Sequence, residues 1–455
     1  MRLSVIKEML MKRYFTLVLA LLFLTPLPGT SLGDDFSDFM EKDYAYLEKF
    51  YKDIHSHPEL SEREKETSRK IAEELRKTGF NVTENVGGYG VVGVFENGEG
   101  PTIMVRTDMD ALPITEKTGV EYASKVTDKY QVGDEIVDVG VFHGCGHDMH
   151  MTIFTGTAHY LMRNKDKWKG TLIMIGQPAE ENCVGARAMI KDGLFKRFPR
   201  PDYIFGLHVM PFPTGLVGSH EGYWFAGDVD LDLIVRGSGG NSHRPQDCKD
   251  PVIVSAEIIS ALQTIVSREI DPLEPAVLTV SVIRGGVSAW TIPEEVYMAV
   301  DIRAFKDEIK DKIVKSVKRV SENIARAAGI PEDRMPIIKK TTDVLPLYND
   351  PELTREVIGI FEKTFGDENV IEIPLIMGTE DFASYGLAKP KIPICFFGVG
   401  CVNPRIFEKA MKRGKNVPGL HNPAFYPEIE PTVKTGVRAM TSVVLNMFAG
   451  KRKEE

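Results

Sequence analysis

Short apolar stretches alternate with helical patterns over the first half of this chain, and that alternation constrains the fold more than any other feature. The stretches 91–95, 102–105, 171–176 and 203–207 have the composition of buried strands, and helical patterns occupy 151–163 and 186–194. Such alternation is typical of a largely parallel sheet with helices on both faces. Ser61 and Glu64 also predict a capping box for a helix that runs to Thr78 and is closed by Gly79.

The pattern changes near residue 224. Strands are predicted at 228–236, 276–283, 296–304 and 335–340, and helices at 251–268 and 307–328. Their order is βαββαβ, which is the ferredoxin-like split unit, and elements of the first kind resume at 392–398 and 432–448. We therefore predict a larger α/β domain made of residues 35–222 and 342–450. A ferredoxin-like satellite domain at 223–341 interrupts it.

Residues 1–33 have the order of a secretory signal peptide. Basic residues precede the apolar run 15–24, and prolines and small residues follow it. The run is shorter than the roughly 20 residues that a membrane span needs. We predict cleavage near Asp34, export to the periplasm or the medium, and no stable membrane span afterwards. An uncleaved anchor or an N-terminal core helix is the alternative.

Charge and cysteine content narrow the possible partners and sites. The net charge of −9, from 56 basic and 65 acidic residues, disfavours a nucleic-acid partner because an acidic surface repels phosphate. The five cysteines are an odd number, so at least one thiol is unpaired in an exported protein, and we expect it to be Cys145. The pairing of the other four stays open. No CxxC pair is present, which excludes a structural zinc site of the Cys₄ or Cys₂His₂ type.

The segment 141–150, VFHGCGHDMH, concentrates side chains that bind metal ions. It contains His143, Cys145, His147, Asp148 and His150. Thiolate, imidazole and carboxylate together suit a borderline divalent ion. Because Cys145 and His147 are two residues apart, an extended backbone would point both at one ion. The alternative is a histidine-rich surface turn beside a free buried cysteine.

Other polar side chains follow the predicted strands, and one lies in a late loop. They are Asp108 and Asp110 after 102–105, Glu180 and Glu181 after 171–176, His208 after 203–207, and His421. Ligands of open α/β sheets bind beyond the carboxyl ends of the strands, so these side chains should meet. A metal hydrolase needs one carboxylate on the metal and another to accept a proton from water. The set suits two divalent ions better than one structural zinc ion.

These motifs together resemble the M20 metallopeptidases, in the amidohydrolase subfamily of hippurate hydrolase, N-acyl-amino-acid amidohydrolases and auxin-conjugate hydrolases. The resemblance covers about residues 44–450 and rests on HSHPEL (55–60), RTDMDALPITEKTG (106–119), HGCGHDMH (143–150), QPAEE (177–181), GLHV (206–209), MGTEDFASY (377–385) and His421. It implies a catalytic α/β domain with an inserted ferredoxin-like satellite, and a homodimer.

The resemblance also implies roles for individual residues. Two divalent ions, Zn²⁺ or Mn²⁺, would be held by Cys145, His147, Glu181, His208 and His421. Glu180 would be the general base for a metal-activated water, and Asp110 and Glu380 would lie behind the ligands and orient them.

The implied reaction is hydrolysis of the amide bond of an N-acyl amino acid or a related small amide. A secreted dipeptidase or carboxypeptidase, acting on dipeptide substrates with the same centre, is one alternative. A non-catalytic exported protein that binds metal or peptide is the other.

Two satellite motifs depart from the family pattern. The family's GGHAxxP is GGNSHRP here: Asn241 replaces the histidine that helps to hold the oxyanion in the partner subunit, and His243 lies two residues later. The family's GGxAxNxIP is GGVSAWTIP, with Trp290 in place of a substrate-contacting asparagine, whereas Arg303 matches. In an extended backbone residues 241 and 243 point the same way, so His243 is a plausible substitute donor. Trp290 would form an apolar wall for the substrate.

Overall fold

The computed structural model describes residues 33–133 and 135–450. The predicted signal peptide, residues 1–33, lies outside the described residues except for Gly33. The strands, in chain order, are β1 (Asn81–Thr83), β2 (Val91–Glu96), β3 (Thr102–Asp108), β4 (Thr127–Val132), β5 (Glu135–Gly140), β6 (Thr171–Gln177), β7 (Tyr203–Pro213), β8 (Val217–Ser219), β9 (Gly222–Phe225), β10 (Gly227–Arg236), β11 (Gly240–Asn241), β12 (Ala276–Arg284), β13 (Thr291–Ile292), β14 (Glu295–Ala304), β15 (Ile337–Lys340), β16 (Leu347–Asn349), β17 (Val370–Glu372) and β18 (Ile394–Val402). The α-helices are α1 (Gly33–Ser56), α2 (Lys65–Lys77), α3 (His147–Arg163), α4 (Gly185–Lys191), α5 (Leu194–Arg197), α6 (Pro251–Glu269), α7 (Asp307–Ala327), α8 (Pro351–Phe365), α9 (Pro404–Lys412) and α10 (Ile429–Ala449).

Eight strands form one large sheet in the order β1-β2-β6-β3-β7-β18-β8-β17. Its centre is parallel, because β6, β3, β7 and β18 are successive parallel neighbours. β3 and β6 bury every side chain after their first residue, as strands covered on both faces must. The predicted α/β fold with a mostly parallel sheet is confirmed, and the carboxyl ends of β3, β6 and β7 meet at one edge.

Helix α3 is buried almost all round and begins four residues before the predicted start at 151. It packs against α1, α10 and β3. A Cβ atom added at Gly436 of α10 would lie 2.3 Å from Cδ1 of Ile153, and one added at Gly156 would lie 2.7 Å from Cγ2 of Val437. These glycines therefore let α3 and α10 approach more closely than any side chain would allow.

The smaller sheet has the order β12-β14-β10-β15, and each neighbouring pair is antiparallel. With α6 between β10 and β12 and α7 between β14 and β15, this is the predicted βαββαβ unit. Alternate residues of β10 (Val229, Leu231, Leu233 and Val235) are buried in its core. Among the described helices, α6 alone is long and apolar enough to cross a membrane, and a third of it is buried inside this unit.

The described residues divide into two compact units. The larger contains the residues up to Glu221, Asn349–Ile373 and those from Tyr385 onward, and the smaller contains Gly222–Tyr348 and Pro374–Ser384. The predicted boundaries placed residues 374–384 in the larger domain, whereas here they group with the satellite.

The predicted capping box before α2 is wrong. The helix begins at Lys65, and its first turn is capped by Glu59, whose carboxylate accepts from the amides of Glu66 and Thr67. Ser61 Oγ instead donates to Asp110 Oδ2 at 2.6 Å, and Glu64 Oε1 accepts from the Ala179 amide at 2.7 Å. Both side chains thus bind neighbouring loops, which a local pattern does not reveal. The predicted end is confirmed, since α2 closes at Thr78 and Gly79 has a φ of +93°.

Candidate metal centre

Cys145 and His147 flank a turn rather than lying on an extended strand, so the predicted backbone is wrong. Gly146 between them has a φ of +82°, and α3 starts at His147. A Cβ at Gly146 would lie 2.5 Å from Cγ2 of Val209, so both the conformation and the space require glycine. The turn places Cys145 Sγ 3.4 Å from Nε2 of His208.

The five predicted ligands form two groups of three that share one sulfur atom. Cys145, His147 and His208 make the first triad, and Cys145, Glu181 and His421 make the second. Within each triad the ligand atoms all lie within 4.8 Å of one another. His421 Nε2 is 3.3 Å from Cys145 Sγ and 3.5 Å from Glu181 Oε2. The thiol of Cys145 therefore lies between two candidate ion positions.

Two buried atoms in these triads have no hydrogen-bond partner within residues 33–133 and 135–450, although buried polar atoms normally have one. They are Nε2 of His147 and Oε1 of Glu181, which lie 3.9 Å apart. Nδ1 of His147 is already occupied, because it lies 2.8 Å from the Asp110 carbonyl oxygen and 3.3 Å from its Oδ1. An imidazole that donates from Nδ1 presents the lone pair of Nε2 to a cation. The residues therefore fit a divalent metal ion.

Asp110 contacts both triads from behind. Besides its contact with His147, its Oδ2 accepts from the amide of Glu181 at 2.9 Å and from Ser61 Oγ at 2.6 Å. One buried carboxylate thus fixes a ring of the first triad and the backbone of the second.

Glu180 belongs to neither of the triads that share Cys145. Its Oε2 lies 3.7 Å from Nε2 of His147, and the residue is buried. The turn that carries it is constrained, since Ala179 has a φ of +50° and its amide donates to Glu64. A non-glycine residue in this region costs free energy, which is a feature of many functional loops. The turn directs both neighbouring glutamates to His147.

Burial controls the protonation of the acidic ligands. It raises the pKa of Glu181 to about 8, with the charge of Asp110 adding to the effect and that of His147 opposing it. Burial likewise raises the pKa of the Cys145 thiol well above its usual value. A divalent cation favours the charged forms of both, so metal binding should release protons from this site.

His208 and His421 reach the site from a strand and a loop. His208 was predicted to end a strand, but β7 continues to Pro213 because it pairs with β18 as far as Val402. His421 has a φ of +63°, and its amide donates to the Gly144 carbonyl at 2.8 Å. That bond ties the late loop to the turn that carries Cys145.

Other residues of the predicted motifs lie close by without joining either triad. Asp108 and His150, two of the candidate metal-binding side chains, contact each other at 2.7 Å. His143 is buried, and neither ring nitrogen has a hydrogen-bond partner among the described residues. Burial lowers the pKa of His143 to about 4, so this ring is neutral.

The remaining predicted site residues belong to the smaller unit. Asn241 and His243 are exposed, and the chain turns after β11, so the extended backbone expected between them is wrong. The turn forms because Asn241 accepts from the amides of His243 and Arg244. Trp290 is 72 % exposed.

Arg303 and Glu380 hold the loop that contains the MGTEDF motif. Arg303 Nη1 donates to the Met377 carbonyl at 3.0 Å, and its Nε lies 3.0 Å from Asp301 Oδ1. Glu380 is buried, and its Oε1 accepts from the Phe382 amide at 3.0 Å. Both residues thus shape the backbone of the smaller unit.

Imidazole, thiol and carboxylate groups gathered at one edge of a mostly parallel sheet are a ligand set for divalent metal ions. Residues 104–446 match the family described as Peptidase family M20/M25/M40, and the chain belongs to that family. It is a hydrolase that acts on amide bonds, and divalent metal ions belong to its site.

Known relatives with similar sequences include a carboxypeptidase and an IAA-amino acid hydrolase. Over 358 residues the chain is 34 % identical to thermostable carboxypeptidase 2 of Saccharolobus solfataricus, with 77 % of this chain and 85 % of the relative covered. Over 358 residues it is 33 % identical to IAA-amino acid hydrolase ILR1-like 2 of Arabidopsis thaliana, covering 76 % and 75 %. The crystal structure of the Bacillus subtilis YXEP protein, described as a dinuclear metal binding peptidase from the M20 family, superposes with a TM-score of 0.71. It is 27 % identical, with 90 % of this chain and 99 % of that chain covered.

Proposed function

We propose that this protein hydrolyses the amide bond of N-acyl amino acids with two divalent ions, held by Cys145, His147, Glu181, His208 and His421. One observation carries the proposal: two triads share the Cys145 sulfur, and a further buried carboxylate, that of Glu180, lies beside them. The name of the Arabidopsis relative supports the substrate class, since an indoleacetyl amino acid is an N-acyl amino acid.

Bound divalent ions would lower the pKa of a water molecule and polarise the amide carbonyl. Glu180 would accept the proton of the attacking water and return it to the leaving amine. Asp110 would hold the ring of His147 through Nδ1 and the backbone of Glu181, which keeps both ligands in place before substrate arrives. In this mechanism Glu180 is the general base and Glu181 is a metal ligand.

We propose Zn²⁺ or Mn²⁺ as the ions. The thiolate of Cys145 favours the softer Zn²⁺, whereas carboxylate suits Mn²⁺ and imidazole accommodates several first-row ions.

A carboxypeptidase or dipeptidase activity is the second candidate, because the Saccharolobus relative is named a carboxypeptidase. The reaction at the amide is the same, and only the group on the acyl side differs. Substrate specificity therefore distinguishes the two candidate activities, whereas the residues of the metal centre do not.

A mass-spectrometric screen tests both candidates. Metal-loaded protein is incubated with N-acyl amino acids and with dipeptides that share their C-terminal residues, and Glu180→Gln serves as the inactive control. We expect the free amino acid to be released from the N-acyl series. Cleavage of the dipeptides alone would favour the peptidase, and no cleavage of either series by metal-bound protein would contradict both.

We further propose an exported homodimer in which the satellite contributes to substrate binding. The order of the N-terminal residues supports export, and the family resemblance supports the dimer and the substrate contacts of the satellite. Asn241 or His243 would donate to the developing oxyanion, Arg303 would bind substrate and Trp290 would favour an aromatic or aliphatic acyl group. Exchanging the donating residue for Ala should lower kcat/KM by ~10²-fold, and kinetics of His243→Ala and Asn241→Ala decide which of the two donates.

A further inference from the structure

His150 makes two hydrogen bonds that fix the state of its ring. Its Nε2 accepts from the amide of Val209 at 2.9 Å, so its proton is on Nδ1, which donates to Asp108 Oδ1 at 2.7 Å. Asp108, His147 and His150 have the spacing of a third metal-binding triad. Because both nitrogens of His150 are already used, however, the ring has no lone pair for an ion.

The ring of His150 fills a gap between two diverging strands. β3 and β7 are paired only as far as Arg106 and Gly206. Beyond that pair, the side chain of His150, which comes from α3, connects Asp108 at the end of β3 to Val209 of β7. The imidazole thus supplies the acceptor that the neighbouring strand no longer provides to the Val209 amide.

Val209 directly follows His208, whose Nε2 faces the shared sulfur of Cys145 at 3.4 Å. Nδ1 of His208 donates to the Val209 carbonyl at 2.7 Å. The backbone at Val209 is therefore held at its amide by His150 and at its carbonyl by His208. A shift of this backbone would turn the His208 ring away from the first triad.

Asp108 is itself anchored in the core of the larger unit. Its Oδ2 accepts from Arg106 Nη1 at 2.6 Å, and Arg106 Nε donates to Gln177 Oε1 at 3.0 Å. All of these side chains are buried. The carboxylate therefore has a fixed position from which it orients the ring of His150.

We propose that His150 is a positioning residue for His208, and that it governs the affinity of the ion of the Cys145–His147–His208 triad alone. The inference rests on the proposed two-ion function. Partners behind a metal ligand typically change metal affinity 10–100-fold. We therefore expect the loss of the Val209 contact to lower the affinity for one ion by ~10–100-fold. The affinity for the ion bound by Glu181 and His421 should not change.

Two substitutions separate the two contacts of the ring. In His150→Gln, Oε1 occupies the place of Nε2 and accepts from the Val209 amide. In His150→Asn the shorter amide reaches only Asp108. Zn²⁺ titration of the chelator-stripped full chain, followed by calorimetry and elemental analysis, measures both ions without substrate. Thr157→Val removes another buried polar group of α3, the hydroxyl that donates to the Ile153 carbonyl at 2.8 Å, and serves as the matched control.

We expect the wild type, His150→Gln and Thr157→Val each to bind two ions tightly. His150→Asn should bind only one ion tightly. Two tight ions in His150→Asn would overturn the inference, and so would equal weakening of both ions by both substitutions. If His150→Asn does not fold, His150→Ala removes the Val209 contact as well, and wild-type affinity for both ions in that variant would overturn the inference. The readout is ion binding, so inactivity toward a chosen substrate would count against the proposed function and not against this inference.

Discussion

Cys145 is the residue on which both candidate ion positions depend. Its sulfur belongs to both triads of predicted ligands, whereas each of the other four predicted ligands belongs to one of these two triads. We predict that Cys145→Ser lowers the affinity for both ions by more than ~10²-fold, because a neutral hydroxyl is a poor substitute for a thiolate. Losing even an indirect partner of a ligand can lower metal affinity by up to about 10²-fold. Metal titration checks this result. Cys248→Ser in the satellite is the control, and retention of two tight ions in Cys145→Ser would show that the sulfur is not shared.

Substitutions of Glu180 and Glu181 should impair different steps, one catalysis and the other metal binding. Glu180→Gln cannot accept a proton, so kcat should fall by at least ~10²-fold while both ions stay bound. Glu181→Gln should instead lose the ion of the second triad, because a neutral amide binds a cation weakly. Steady-state kinetics and elemental analysis of the two variants decide the assignment. The opposite pattern would mean that base and ligand are exchanged.

At the scale of elements, His55 connects α1 to α3 and to the loop at Glu116. Its ring lies 2.6 Å from Asp148 Oδ2 and 3.1 Å from Glu116 Oε1. Burial opposes a charge on this ring, but the hydrogen bonds and charges of the two carboxylates outweigh burial and raise the pKa of His55 to about 9. A pKa raised on folding stabilises the fold fully below the unfolded value, about 6.5, and this stability is lost as pH rises through about 9.

The metal-free wild-type chain should therefore lose up to about 3 kcal/mol of unfolding free energy between pH 7 and pH 10 through this group. His55→Gln has no charge to lose and should show a flatter dependence over the same range. Denaturant unfolding at several pH values measures the difference. Parallel curves for the two proteins would show that His55 is not charged in the fold.

The contact between α3 and α10 depends on the absence of a side chain at Gly436. A methyl group there would lie 2.3 Å from Ile153 Cδ1, so Gly436→Ala should destabilise the fold by about 1–3 kcal/mol. Gly359 of α8 is the matched control, because no atom of the part of the chain that the structure describes lies within 4 Å of its added Cβ. Gly359→Ala should stabilise by about 0.4–1 kcal/mol. Thermal unfolding measures both, and equal effects would contradict the packing described.

The elements of this fold follow from its sequence, whereas the local geometry of the site does not. Apolar runs predict β3 and β6 because both strands are buried on both faces. The turn at Gly146 could not be predicted, since its shape depends on Val209, which is distant in the chain. Ser61 has the pattern of a helix cap, but its hydroxyl binds Asp110. Local pattern fails here because tertiary contacts compete for the same polar groups.

At the scale of the whole molecule, the N-terminal sequence predicts where the protein is located. We predict that the mature chain begins near Asp34 and is found outside the cytoplasm. N-terminal sequencing of natively produced protein, with cell fractionation, measures both. A chain that begins at Met1 or Met11 would refute cleavage. Sedimentation velocity of the same material tests the proposed dimer, and a monomer at all concentrations would contradict it.

We propose that one thiolate and four other side chains hold two divalent ions at the carboxyl edge of the sheet. Anomalous diffraction from crystals grown with Zn²⁺ tests it most directly, because the signal locates each ion independently of activity. We expect two peaks in the larger unit, both bonded to Cys145 Sγ. One ion would also bind His147 and His208, and the other Glu181 and His421. A single peak, or two peaks of which either does not touch Cys145, would contradict it.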